Sequence, residues 1–186
     1  ITLEWAEELE PLHDSYPHRM TIAQPGHFGM AVFSKFPFID TNIVSFTHKG
    51  ARSIVAEIEL AQRKTQIIVT HPPPPTNWFA FSRRNQVMMA IGNRVRNYNG
   101  ASIVVGDLNT SSFSFAFKRL LKNASLNDTR KGFGLQSTWP TWGCVFNISI
   151  DHCLVTDEFI TLDRKVGNHI GSDHLPVIVE LEAAKN

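Results

Sequence analysis

Two cysteines among 186 residues, Cys144 and Cys153, are too few and too unevenly placed to staple a small secreted scaffold. Cys153 falls inside an apolar, strand-like run, where a buried thiol is the expectation. No stretch of roughly 18 apolar residues occurs, so no membrane-crossing helix is expected within this chain. No basic-apolar-small leader pattern stands at its first residues, and as it stands it is expected to behave as a soluble piece. A surplus of one charge is also missing, since 18 Lys plus Arg oppose 17 Asp plus Glu. Proteins that grip duplex nucleic acid nonspecifically carry a basic excess, because phosphate contacts dominate that affinity. Net charge therefore does not favour nucleic acid, while a small phosphate ester, a lipid head group or a locally basic cleft stays open. His13, His18, His27, His48 and His169 show no zinc-ligand spacing. There is no internal repeat, linker or low-complexity segment, and the stiffest tract is His71-Pro72-Pro73-Pro74-Pro75.

What is present is globular: 42% hydrophobic and 19% charged residues, at a length that supports one domain with a substantial core. A single domain over residues 1–186 is expected. Ile1 to Leu9 reads as a helix, with Ile1, Trp5, Leu9 and Leu12 on one apolar stripe. Short strands are expected near Met20 to Ala23 and over Phe28 to Phe36, the latter stopped by Pro37. Ser53 to Leu60 alternates as a half-buried strand, with Ile54, Ala56, Ile58 and Leu60 on its apolar face. A polar turn at Gln62-Arg63-Lys64 then predicts a hairpin with Thr65 to Thr70.

From Phe79 to Tyr98 the period lengthens to that of a helix, through Met88, Ile91, Val95 and Tyr98. A nearly continuous apolar strand follows at Ala101 to Val105, and a second helix at Phe113 to Leu121, capped by Ser112 or Ser114. Further strands are expected at Ile148 to Thr156, Phe159 to Leu162 and Val177 to Leu181. Strands outnumber helices, and hairpins mix with strand-helix-strand crossovers. That combination predicts an α/β sandwich of mixed β-sheets packed face to face with helices outside.

Polar residues gather where the apolar strands end. His71 follows Ile67-Ile68-Val69-Thr70, and Asp107 and Asn109 follow Ile103-Val104-Val105-Gly106. Asp151 and His152 interrupt Ile148 to Val155, and Asp173 and His174 precede Leu175-Pro176-Val177. Strand-end loops on a rigid sheet favour catalysis, and a carboxylate set in an apolar strand needs a partner. Each residue has a plainer reading. Asp107 could be an Asx-type turn residue, Asp151 with His174 a structural pair, and His71 the closure of a strand. His152, opposite Asp151 on a regular strand, reads as structural. Arg84 and Gln86 could reach a phosphate but read first as a solvated helix face, and Trp139 and Trp142 could line a substrate cleft but read first as loop-core aromatics.

Thr70-His71, Gly106-Asp107-Leu108-Asn109, Ile150-Asp151-His152 and Gly171-Ser172-Asp173-His174-Leu175-Pro176-Val177 resemble, in order, the motifs of the endonuclease/exonuclease/phosphatase superfamily. That superfamily has the DNase I-like fold and includes abasic-site nucleases, neutral sphingomyelinases and inositol polyphosphate phosphatases. The similarity spans nearly the whole chain, including Gly29 to Pro37. It implies a divalent-metal-dependent hydrolase of phosphodiester or phosphomonoester bonds. His174 then matches the histidine near the scissile phosphate, and Asp151 the carboxylate that orients it. Asp107 matches the residue that positions water or contacts metal, Asn109 a phosphate-positioning amide, and His71 a phosphate-binding histidine. Asp173 matches a carboxylate at a site for Mg²⁺ or Mn²⁺.

One departure bears on activity. Family members begin with a strand ending in Asn and another ending in a metal-binding Glu, and neither motif occurs before Phe28. The expectation is a domain lacking its first strands, with weak cation binding and impaired turnover. A noncatalytic binding or scaffold module that retains the fold is the alternative. Relatives with a Thr-His-Pro-Pro-Pro-Pro segment include C-terminal domains of membrane-anchored bacterial proteins, so the resemblance extends to a membrane-tethered parent.

Overall fold

A computed structural model describes residues 1–48, 52–142 and 147–185. Cys144 lies outside the described residues. The chain opens on helix α1 (Leu3–Glu8), capped by Thr2, and a 3-10 turn at Glu10–Asp14. Strands β1 (His18–Ile22) and β2 (Met30–Ser34) pair antiparallel as a separate two-stranded sheet. β3 (Phe38–Ser45), β4 (Arg52–Leu60) and β5 (Arg63–Val69) form an antiparallel run. The β4–β5 hairpin turns at Ala61 and Gln62, both with positive φ, the geometry that suits the twist of two-residue hairpins.

Helix α2 (Trp78–Asn97) then crosses over to β6 (Ala101–Asp107), which pairs parallel with β5. Asn77 caps α2 by accepting from the Ala80 N–H. Helix α3 (Phe115–Ala124) starts at Ser114, whose hydroxyl accepts from the Phe117 N–H, and stops at Ser125 in the left-handed conformation. β7 (Asn127–Asp128) and β8 (Asp151–Val155) complete a six-stranded mixed sheet in the order β3-β4-β5-β6-β8-β7. β9 (Phe159–Val166) and β10 (Val177–Ala183) form a third, two-stranded sheet.

Period-two alternation in the central strands explains the layering. Val55, Ile68, Val104 and Leu154 point to the helix side, against Val87, Met88 and Ile91 of α2 and Phe117 and Leu120 of α3. Their neighbours Ile103, Val105, Cys153 and Val155 point the other way and meet Val179 and Leu181 of β10. Ile54 meets Ile22 and Met30 of β1 and β2 on that same side. Each fully buried aliphatic side chain contributes about 1.5–3 kcal/mol, which makes these central strands the anchor of the molecule.

The expected α/β sandwich is present, with several local differences. β4 is covered on both faces through Ser53 to Ala56 rather than on one. The β3 strand is absent from the sequence expectations because it is a sheet edge with no buried residue and no clean alternation. The apolar stripe of α1 does not enter a core: Trp5 and Leu12 are exposed, Ile1 and Leu9 are only half-buried, and no residue of α1 is buried. Trp142 is exposed, not a loop-core aromatic, whereas Trp139 is half-buried.

Candidate functional site

The register of the six-stranded sheet brings the first two acids together. Asp107, the last residue of β6, pairs directly with Asp151, the first residue of β8. Counting by twos from Val105 and Cys153 puts both carboxylates on the side facing β9 and β10. The same count from Val69 puts His71 there, and Thr70 is tied to β6 by its N–H to the Val105 carbonyl at 3.0 Å. Gly106 permits this approach. A Cβ at Gly106 would lie 2.0 Å from the Thr70 carbonyl oxygen, and its φ of +139° is one that side-chain-bearing residues rarely adopt.

His174 arrives from the loop before β10. Its Nδ1 lies 2.8 Å from Asp151 Oδ2, and its Nε2 lies 4.0 Å from Asp107 Oδ2. His71 Nε2 approaches the same Asp107 oxygen at 3.4 Å. Asp107 thus faces two imidazoles with one oxygen, while its Oδ1 accepts from the Asn109 N–H at 2.7 Å. Asn109 sits at φ +49°, and its Nδ2 donates to the Pro72 carbonyl at 2.9 Å. Five of the six residues singled out from sequence therefore converge: His71, Asp107, Asn109, Asp151 and His174. Asp173, the sixth, is exposed and accepts from Trp139 Nε1 at 3.3 Å.

Asp151 and His174 line a cleft of about 500 Å³ together with the apolar Val105, Cys153, Val179 and Leu181. Burial, the largest cause, pushes the Cys153 thiol up to about 11, so this cysteine is a packing group rather than a nucleophile. His152 points away, to the helix side, where it packs on the Phe117 ring at 4.4 Å and bonds the Thr110 carbonyl through Nε2. Burial lowers its pKa and keeps it neutral.

Three residues support the site in ways the sequence did not indicate. Arg84, assigned there to a solvated helix face, is buried instead and donates through Nη1 to the Asn109 carbonyl at 2.7 Å. Its other donors meet Asn85, and burial lowers its pKa. Arg164 is buried too, bonding Gln136 Oε1 and donating to the Asp151 carbonyl at 3.2 Å. Thr138 joins the halves of the site. Its hydroxyl accepts from the Ile150 and Asp151 N–H groups, and its carbonyl accepts from Leu175 N–H, next to His174. A polar run around Arg84 and a loop threonine carry no periodic signal that marks them as buried.

The Mg²⁺ or Mn²⁺ implied by resemblance needs several hard oxygen donors. Asp107 is engaged by Asn109 and two histidines, and Asp173 by Trp139. Among the described residues, no group of three or more His, Cys, Asp or Glu is arranged to hold a metal ion. Asp107 and Asp173 alone do not make up a divalent-cation site.

The fold is shared with solved structures of low sequence identity. An endonuclease/exonuclease/phosphatase from Beutenbergia cavernae DSM 12333 matches with a TM-score of 0.74 and 18% identity, over 96% of this chain. This chain spans 57% of that protein's length. D. rerio TDP2 in complex with single-strand DNA product matches at TM-score 0.77 and 13% identity, over 98% of this chain and 83% of its own. The human Nocturnin catalytic domain with bound sulfate matches at 0.74 and 16%, over 97% and 78%. No curated protein matches in sequence. The Endonuclease/Exonuclease/phosphatase family model covers residues 1–174, from the opening helix through His174. On that match, the chain belongs to the endonuclease/exonuclease/phosphatase family.

Proposed function

We propose that this protein is a phosphoester hydrolase in which Asp151, His174 and Asp107 act on one phosphoryl group. The observation that carries the reading is the imidazole of His174, held through Nδ1 by Asp151 at 2.8 Å with Nε2 turned toward Asp107. An acceptor behind Nδ1 fixes the tautomer and orientation of a histidine, leaving Nε2 to face the reacting group. In this reading Asp107 orients a water and takes its proton as the oxygen attacks phosphorus. The bond from phosphorus to the leaving oxygen breaks, that oxygen takes a proton from solvent, and Asp107 returns its own proton to solvent. His71, Nε2 of His174 and the amide of Asn109 face the charge that develops on the phosphoryl oxygens.

The divalent-cation requirement is part of the same proposal. Asp107 and Asp173 supply two carboxylates, too few to hold Mg²⁺ or Mn²⁺ firmly against water, so this chain binds the cation weakly and turns over slowly. Residues 1–186 are read as one domain. The substrate class is a phosphate ester. The neighbours solved with a DNA product and with sulfate are consistent with such an anion. The incomplete donor set also favours a second reading, a noncatalytic module that retains the fold and binds the anion without hydrolysing it.

Hydrolysis of bis-p-nitrophenyl phosphate at high Mg²⁺ or Mn²⁺ separates the two. Slow turnover that falls about a hundredfold or more in His174→Ala supports the hydrolase. Equal rates in wild type and variant, with phosphate still bound, would leave the binding module.

A further inference from the structure

The helix layer, on the opposite side of the six-stranded sheet from β9 and β10, carries a feature that hydrolysis does not use. A groove of about 260 Å³ runs between α2 and α3, bordered by Trp78, Phe81, Met89 and Phe115. Trp78 is 81% exposed and Phe115 80%, and Phe79 and Phe113 beside them are 68% exposed each. Large aromatics clustered this openly are unusual on a soluble surface and mark a contact site.

The charge around them is one-sided. Between His71 and Ala124 the sequence has seven Arg or Lys residues, of which Arg84 is buried and Arg94 is half-buried against Gln66, and a single acid, Asp107, which is engaged in the candidate site. Neither α2 nor α3 contains an Asp or Glu. The near-neutral total of the chain therefore conceals a cationic face, and its complement is an anionic partner.

We propose that the aromatic ends of α2 and α3 seat this protein on an anionic phospholipid surface. Aromatic rings at the rim of a cationic helical face are suited to the boundary between head groups and acyl chains. The arrangement of the rings favours lipid over single-stranded nucleic acid. Base stacking needs open ring faces, and here Trp78 already has one face stacked on Phe81 at 5.4 Å with an interplanar angle of 20°. The guanidinium of Arg83 covers Phe79 at 4.5 Å, and that of Arg84 covers Phe81 at 4.8 Å. Trp78 and Phe115 stay largely exposed, the apolar area that insertion into a bilayer boundary requires. Arg84 also ties α2 to the Asn109 carbonyl, so the docked helix is joined directly to a residue of the candidate site.

The test is co-sedimentation of the 186-residue chain with phosphatidylcholine vesicles, with and without phosphatidylserine. It reads binding rather than turnover, so its result is independent of the hydrolase reading. Expected are binding that requires phosphatidylserine, weakens with added salt, and falls about tenfold or more in Trp78→Ala/Phe115→Ala. Both positions are largely exposed, and circular dichroism should show the variant folded. Absent binding, or equal binding by wild type and variant, overturns the proposal. So does tight binding of a single-stranded oligonucleotide that the variant loses while vesicles are ignored. Self-association abolished by the same variant, again without vesicle binding, would assign the face to a second copy and overturn it too.

Discussion

The six-stranded sheet and the β9–β10 hairpin support the two sides of the candidate site in different ways. In the sheet, Ile54, Ile68, Val104 and Leu154 are fully buried, and helices or hairpins cover both faces of the central strands. In β10 no residue is buried, and half-buried positions alternate with exposed ones along its length. Asp107 and Asp151 belong to the first region, and His174 enters from the second. Apolar burial fixes the acids, whereas hydrogen bonds largely fix the histidine. Leu175 N–H donates to the Thr138 carbonyl at 2.9 Å, and Gly167 N–H to the Pro176 carbonyl at 2.8 Å. Local opening follows contact density, so the histidine side is the part of the site expected to open first.

Two substitutions on opposite sides of this divide should separate most widely. Leu154→Ala removes a fully buried side chain from the sheet and is expected to cost about 2–5 kcal/mol in urea unfolding. Val179→Ala in β10 loses a half-buried side chain and should cost about 1 kcal/mol or less. Similar costs at both positions would erase the distinction between the regions.

A smaller effect concerns pH. Burial depresses the pKa of His152, in the heart of the sheet, below its ordinary value of 6.5. The unfolded chain then binds a proton that the folded chain refuses, so stability is full above about pH 6.5 and declines as pH falls toward the folded value. The slope from this residue is at most about 1.4 kcal/mol per pH unit. In His152→Gln, which keeps a donor for the Thr110 carbonyl, that part of the acid slope should vanish in a pH series of unfolding curves. An unchanged slope would place the acid sensitivity elsewhere.

Strands with strong alternation or continuous apolar runs were legible in the sequence, as were the 20-residue helix α2, an α3 cap at one of two serines, and the β4–β5 hairpin, whose turn falls at Ala61 and Gln62 rather than at Gln62 to Lys64. The site residues could be named from short motifs because each stands where an apolar strand stops. What supports them was not legible. Arg84 lies in a polar run, and its burial follows only from the distance between α2 and Asn109. Thr138 and Arg164 act through backbone carbonyls and N–H groups, interactions that no residue type announces. The α1 stripe illustrates the opposite error. Helical periodicity gave the helix correctly, but periodicity states which residues share a face and not what covers that face.

The claim on which the rest depends is that Asp151 and His174 act as one unit on a phosphoryl group. A double-mutant cycle of Asp151→Asn and His174→Ala, read in bis-p-nitrophenyl phosphate hydrolysis, tests it directly. The double variant should be scarcely slower than either single one, each down about a hundredfold or more. Losses that multiply, or single variants as fast as wild type, would contradict the account.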